Sequence, residues 1–96
     1  MNKVATNVKL NVSFFKQGKR YVAYSPTLDL STSGQTLADA RKKITEAAML
    51  FLEELYQSNN LEKVLSDLGW RKKSPSALWQ PPLTSQEEIP VALSIK

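Results

Sequence analysis

The chain has 96 residues, and neither cysteine nor histidine is among them. The absence of cysteine excludes disulfide bonds and thiolate zinc sites. The absence of histidine removes the most common general base and the most common metal ligand of proteins. Nucleophile systems in which a histidine activates a serine or a cysteine are therefore excluded as well.

Long apolar runs are also lacking. No stretch approaches the roughly 20 residues that a transmembrane helix needs, and residues 1–8 hold no continuous apolar segment like that of a secretory signal. These features predict a soluble, cytoplasmic protein without a membrane partner. With 42% hydrophobic residues, the chain is expected to form one domain around a modest core. Such a core favours further stabilisation in a homo-oligomer, a dimer or a tetramer.

The net charge of +4 is distributed unevenly along the chain. Residues 1–35 carry five basic residues against one acidic, residues 36–69 carry four against six, and residues 70–96 carry four against two. The first third is thus basic and the middle third acidic. This asymmetry is compatible with a nucleic-acid partner and equally with an acidic protein partner, and the sequence leaves both open.

Alternating hydrophobicity predicts three strands in the first third of the chain. Apolar and polar residues alternate over residues 8–14, and Gly18 then supplies the flexible backbone of a hairpin loop before a second strand at residues 20–25. Pro26 has no N–H group for a sheet and should end that strand. A third strand, at an edge of the sheet, is predicted over residues 28–33.

A long amphipathic helix is predicted from Thr36, a good N-cap residue with Asp39 three positions later, to about Tyr56. Met49 and Leu50 lie on the borders of its polar face. They are candidates for contact with a second chain, although scattered exposed apolar residues are equally compatible with the pattern. The predicted core face consists of Leu37, Ala40, Ile44, Ala47, Ala48, Phe51 and Leu55.

A second, short helix is predicted between Asn60, as its N-cap, and Gly69. Gly69 is placed to adopt the left-handed backbone of a Schellman motif, with Trp70 packing back onto Leu65. The proline-rich connection that follows contains Trp79. This tryptophan is expected either to cover an exposed edge of the core or to insert into a neighbouring subunit.

The last predicted element is a strand near the C-terminus. Its apolar residues alternate with small or polar ones, and Pro90 places it at a sheet edge or makes Pro90 a strand-initiating residue. We expect this strand either to belong to the same domain or to pair with the sheet edge of another subunit. The predicted oligomer-interface residues are Ile89, Val91, Leu93 and Ile95.

Together these elements predict an α+β fold with a three- to four-stranded antiparallel sheet, one long helix packed across it and a second short helix. Residues 1–73 are predicted to form the α+β domain. Residues 74–96 are predicted to form the connection and the C-terminal strand.

The order of these elements and their residue types resemble the HicB-like antitoxin family over about residues 8–70. The resemblance implies a partial, degraded RNase H-like fold. The matching residues are Tyr21, Val22, Ala23, Tyr24, Pro26, Asp29, Gly34, Thr36, Ala40, Glu46, Ala47 and Leu52.

The resemblance also implies a function. HicB-like proteins bind and neutralise a small, basic, HicA-like ribonuclease toxin that cleaves mRNA, and they cover its active site without catalysis of their own. The predicted partner contacts are Tyr24, Pro26 and Asp29, together with Met49, Leu50 and the acidic face of the long helix. Many members also carry a DNA-binding segment. Here the 26 residues after Trp70 contain four of the five prolines, so direct DNA binding by this chain is not expected.

An RNase H-like ancestry directs attention to metal-binding carboxylates. Only Asp29 lies in the predicted strand region, and one carboxylate does not hold two magnesium ions. We therefore expect no catalytic residue, no metal and no cofactor. Basic groups at residues 16–20, 41–43 and 71–73 keep an alternative open. In that alternative the chain is an orphan nucleic-acid-binding or oligomeric accessory module without a toxin partner.

Overall fold

The structure, a computed structural model, describes residues 8–72 and 79–95. Within them lie a three-stranded antiparallel sheet, one long helix and one short helix, which confirms the predicted α+β class. Residues 74–78 of the predicted connection lie outside the described residues. The elements are β1 (Ser13–Gln17), β2 (Arg20–Ser25), β3 (Leu30–Gly34), α1 (Leu37–Gln57), α2 (Leu61–Asp67), β4 (Arg71–Lys72) and β5 (Trp79–Gln80).

The sheet has the order β1-β2-β3, with β2 in the centre. Gln17 pairs with Arg20 across a two-residue loop, and Gly18 adopts a φ of +63°, the sign that a type II′ hairpin turn requires at its first loop residue. The first strand was predicted over residues 8–14, but β1 begins only at Ser13 and continues to Gln17. The ladder cannot extend further because Pro26, directly after β2, offers no N–H group.

The two faces of the sheet have different surroundings. Ala23 and Ser25 of β2 are buried, and Ala23 packs against Ala40 and Ile44 of α1. Val22 and Tyr24 alternate with them and point to the opposite side. We call the side turned away from α1 the open face. By the strand register, the open face carries Ser13, Phe15, Gln17, Arg20, Val22, Tyr24, Ser31 and Ser33.

Helix α1 packs over β2 and β3 through a narrow buried stripe. Ala40, Ile44 and Ala48 are its buried residues, and the two alanines allow the helix to lie close to the sheet. Leu37 was predicted to belong to the core face but is exposed over about two fifths of its surface. Ala40 lies beside Gly34, the last residue of β3. Leu37 lies one helical turn before Ala40 and therefore extends beyond the end of the sheet.

A second cluster joins the short helix to the sheet. Leu65 and Trp70 are buried there against Leu28 and Ala48. The predicted Schellman motif is confirmed: Gly69 has a φ of +93°, and the Trp70 N–H donates to the carbonyl oxygen of Leu65 at 2.9 Å. Trp79 packs against this cluster, as expected for a residue that covers the edge of the core. The short β4–β5 ribbon was not predicted, because strands of two residues are too short to show an alternation of apolar and polar residues.

Asn60 precedes α2 as predicted, but its side chain makes no capping hydrogen bond. Its amide instead donates to Ser58 Oγ at 3.1 Å. The end of α1 causes the difference. Asn59 turns the chain with a φ of +62°, and the Asn60 N–H donates to the carbonyl oxygen of Leu55, so Asn60 lacks the extended backbone that a capping side chain needs.

The predicted strand over residues 89–95 is not formed in the structure of the single chain. Residues 81–95 contain neither helix nor strand, and Ile89, Val91, Leu93 and Ile95 are all strongly exposed. A strand exists only where a second backbone pairs with it. In the described part of the chain, no segment lies beside these residues to do so.

Candidate binding surface

The turn between β2 and β3 brings together three predicted contact residues. The Asp29 N–H donates to the carbonyl oxygen of Pro26 at 3.3 Å, and Asp29 has a left-handed φ of +52°. Its carboxylate accepts a hydrogen bond from the Tyr24 hydroxyl, also at 3.3 Å. Desolvation of the hydroxyl, followed by the neighbouring Asp29 carboxylate, raises the pKa of Tyr24 above its ordinary value. Tyr24, Pro26 and Asp29 therefore form one local group at the end of the sheet.

This turn is anchored from beneath by residues that the sequence analysis did not single out. Ser25 and Thr27 are buried, and their hydroxyl groups share a hydrogen bond of 3.3 Å. The carbonyl oxygen of Thr27 accepts a hydrogen bond from Trp70 Nε1 at 2.8 Å. The position of the turn is thus tied to the end of α2, and no local sequence signal marks Thr27 for this role.

The start of α1 is fixed by a compact capping arrangement. The Asp39 N–H donates to Thr36 Oγ1 at 3.0 Å, as predicted, and the Gln35 N–H donates to Asp39 Oδ2 at 3.1 Å. Lys43 Nζ lies 3.4 Å from the same carboxylate oxygen. The hydrogen bond from Gln35, and then Lys43, lower the pKa of Asp39. Asp39 therefore stabilises the helix start, and its carboxylate is already occupied within the chain.

Further along α1, one face combines exposed apolar and acidic side chains. Met49, Leu50 and Tyr56 expose 57%, 66% and 72% of their surfaces. Glu46, Met49, Leu50 and Glu53 follow the spacing i, i+3, i+4, i+7 that places residues on one helix face, and Tyr56 lies on the same face three positions after Glu53. We call these five residues the outer face of α1. Tyr56 was missed as a contact residue because it stood at the predicted helix end, although it lies seven positions after Met49.

The carboxylates of this outer face have no cationic partner within the described residues. The ion pairs found there join Asp39 to Lys43 and Asp67 to Lys63. Glu46 and Glu53 take part in neither pair. The outer face of α1 therefore combines three exposed apolar side chains with two carboxylates that form no ion pair in the described residues.

The five predicted contact residues do not form one surface. Tyr24 points to the open face of the sheet, with Pro26 and Asp29 beside it. Met49 and Leu50 lie on the far side of α1, and α1 covers the opposite face of the sheet. A flat partner surface can therefore contact one group or the other, but not both.

A third feature combines basic and aromatic side chains beside β1. Lys16 Nζ lies 5.9 Å from the ring centre of Tyr21, and the Arg41 guanidinium lies 5.3 Å from that of Phe14. Both rings are half-buried and lie on the face of the sheet against which α1 packs. Arg41 of α1 meets Phe14 of β1 only in the fold, whereas Lys16 and Tyr21 are cross-strand partners in the hairpin of β1 and β2.

Two general properties complete the description of the surface. In residues 8–72 and 79–95, no three acidic side chains come close enough together to bind a metal ion jointly. Neither described helix is both long enough and apolar enough to cross a membrane. Comparison with known protein families, curated proteins and solved structures finds no match to the chain.

Proposed function

We propose that the chain is a non-catalytic binding protein of the antitoxin type, which neutralises a small basic ribonuclease by covering part of its surface. The observation that carries this proposal is the outer face of α1, where Met49, Leu50 and Tyr56 are exposed beside the carboxylates of Glu46 and Glu53. The resemblance of residues 8–70 to HicB-like antitoxins supplies the class of partner.

The apolar part of this surface supports burial against another molecule. Three large apolar side chains are exposed on one helix face, where Glu46 and Glu53 lie between Leu50 and the pair formed by Met49 and Tyr56. Met49 and Tyr56 are separated by seven positions, a spacing that occurs between the anchor residues with which a helix binds a groove in a partner. Complete burial of one such side chain contributes about 1.5–3 kcal/mol, so two or three of them supply a useful share of a binding free energy.

The acidic part determines which partners are favoured. Glu46 and Glu53 take part in no ion pair among the described residues, so a basic partner can pair with them without breaking an existing one. Charges of this kind accelerate association and discriminate between partners more than they add affinity. A small basic ribonuclease meets this requirement, and the turn at Tyr24 and Asp29 then remains on the side away from it.

The test is co-expression with the product of the neighbouring reading frame, followed by growth measurement and co-purification. The proposal expects a neighbour that is small, basic and toxic alone, and a stable complex when both proteins are present. A neighbour without toxicity, or one that does not bind, would refute the antitoxin function.

Matched variants locate the contact. Leu50→Ser and Glu53→Lys should each weaken the complex about tenfold or more, which corresponds to about 1.4 kcal/mol. The controls Leu83→Ser and Glu62→Lys make the same chemical changes at exposed positions away from the outer face. If each control weakens binding as much as its counterpart, the outer face of α1 is not the contact surface.

The basic and aromatic group beside β1 favours a second candidate function, binding of nucleic acid. Lys16 and Arg41 would contact phosphates, and Phe14 and Tyr21 lie next to them. Binding of this kind weakens steeply with salt. A gel-shift titration at low salt, with Lys16→Ala/Arg41→Ala compared with Lys63→Ala, tests it. Absence of retention by the unaltered chain would exclude this function.

A further inference from the structure

We propose that residues 87–95, here called the C-terminal arm, add as a fourth strand to the β1 edge of a second copy of this chain. Ile89, Val91, Leu93 and Ile95 are each exposed by 71–84% and occupy alternate positions. Pro90, Ala92 and Ser94 lie between them. This is the pattern of a strand with one apolar face, in a segment that pairs with nothing in the described chain.

The arm leaves the body of the protein beside β1. Asn11 Nδ2 donates to Thr84 Oγ1 at 2.8 Å, and Gln86 Nε2 donates to Ser13 Oγ at 3.2 Å. Asn11 therefore lies beside Thr84, and Ser13, two positions later, lies beside Gln86. Residues 84–86 thus run in the same direction as the chain that enters β1. After Gln86 every residue through Ile95 is exposed.

Of the two sheet edges, β1 is the better acceptor. The last three residues of β1 are exposed, whereas β3 is half-buried or buried except at Ser31 and lies under α1. Phe15 in β1 is half-exposed on the open face and stands opposite Val22. An apolar strand added to β1 would continue this strip, because side chains on one face of neighbouring strands contact each other.

A second copy is favoured as the acceptor by strand direction. Within one chain, the arm follows a segment, residues 84–86, that runs in the same direction as the chain entering β1, so without a reversal it would pair with β1 in parallel. The existing ladders are antiparallel. A two-fold axis between two copies allows each arm to run antiparallel to the other copy's β1. The unpaired backbone groups of both arms and of both β1 edges then find hydrogen-bond partners in one closed dimer.

Pro90 determines which side of the arm pairs. In an antiparallel edge strand, alternate residues direct both N–H and C=O toward the neighbour, and those between direct them outward. Pro90 lacks an N–H and belongs to the outward set. Ala92 and Ser94 then share its orientation, while Val91 and Leu93 donate to β1. A proline is therefore harmful at Val91 and tolerated at Ala92.

Sedimentation velocity of the full chain over a concentration series tests this prediction directly. The unaltered chain and Ala92→Pro should form dimers, and Val91→Pro should weaken dimerisation about tenfold or more. Circular dichroism checks that both variants keep the fold. We expect them to do so, because the exposed arm contributes nothing to the core. A monomeric unaltered chain, or equal dimerisation of the two variants, would overturn the proposal.

Hydrogen exchange identifies the accepting edge. Amide protons of β1 that face outward should become protected when the chain dimerises, and this protection should be absent in Val91→Pro. Protection that appears in β3 instead would overturn the assignment of the edge. These measurements need no toxin, so their failure leaves the proposed antitoxin function untouched.

Discussion

Trp70 Nε1 donates a hydrogen bond of 2.8 Å to the carbonyl oxygen of Thr27, although 43 positions separate the two residues in the chain. Both residues are almost completely buried. The contact joins the end of α2 to the turn that holds Tyr24, Pro26 and Asp29. It is the one buried hydrogen bond among the described side chains that links distant parts of the sequence.

Replacement of Trp70 by phenylalanine should therefore destabilise the fold. Phenylalanine keeps an aromatic ring in the core but leaves the buried Thr27 carbonyl without its donor, and we expect a loss of about 1–3 kcal/mol in the free energy of unfolding. Urea denaturation followed by circular dichroism measures it. Trp79→Phe is the control, because Trp79 is only half-buried. A smaller loss at Trp70 than at Trp79 would contradict this account of the anchor.

Gly34 should tolerate no side chain. A Cβ atom there would lie 2.6 Å from the Ala40 backbone nitrogen and 2.7 Å from Asp39 Oδ2, so β3 and α1 would have to move apart. We expect Gly34→Ala to cost about 1–3 kcal/mol in unfolding free energy. Gly18→Ala provides the comparison: a Cβ meets nothing within 4 Å there, and only its positive φ is unfavourable. Gly34→Ala should be the more destabilising of the two.

Asp39 should make stability depend on pH in the acid range. Its pKa in the folded protein is lowered from 3.8 by the Gln35 N–H and by Lys43. Its contribution is therefore present above the unfolded-state pKa and is lost as the pH falls through the folded-state value. The difference in stability between the unaltered chain and Asp39→Asn should be largest at neutral pH and should shrink below about pH 4.

The control for this prediction is Asp67→Asn. Asp67 also pairs with a lysine four positions away, but both side chains of that pair are strongly exposed. Chemical denaturation at several pH values should give nearly the same free energy of unfolding for Asp67→Asn as for the unaltered chain. An Asp39→Asn effect that persists unchanged in acid would contradict the assigned role of the carboxylate.

Tyr24 should titrate above the ordinary tyrosine value of 10.0 because of desolvation and the Asp29 carboxylate. A raised pKa in the folded state gives a contribution that is complete below the unfolded-state pKa and is lost as the pH rises through the folded-state value. Asp29→Asn should move the Tyr24 pKa back toward 10.0, and asparagine accepts the left-handed backbone at this position. NMR of the tyrosine ring carbons measures the titration, and Tyr24→Phe identifies the signal. An unchanged titration in Asp29→Asn would show that the carboxylate has no influence.

Local physical rules predicted the elements of this fold well. Thr36 and Asp39 marked the start of α1, Gly69 marked the end of α2, and Gly18 marked the hairpin. Each of these depends on backbone geometry and hydrogen bonds within a few residues, which the sequence encodes directly. The exposed pair Met49 and Leu50 was also visible, because helical spacing alone shows which face a residue occupies.

The arrangement of surfaces was a property of the tertiary structure alone. The sequence could not show that Tyr24 and Met49 lie on opposite sides of the protein, that Trp70 holds the turn at Thr27, or that Arg41 reaches Phe14. Such contacts depend on which face of the sheet receives the helix, and residues far apart in the chain decide this together. The arm shows the same division: its alternation specifies one apolar face, but a strand forms only where the fold, or a second molecule, provides a backbone to pair with.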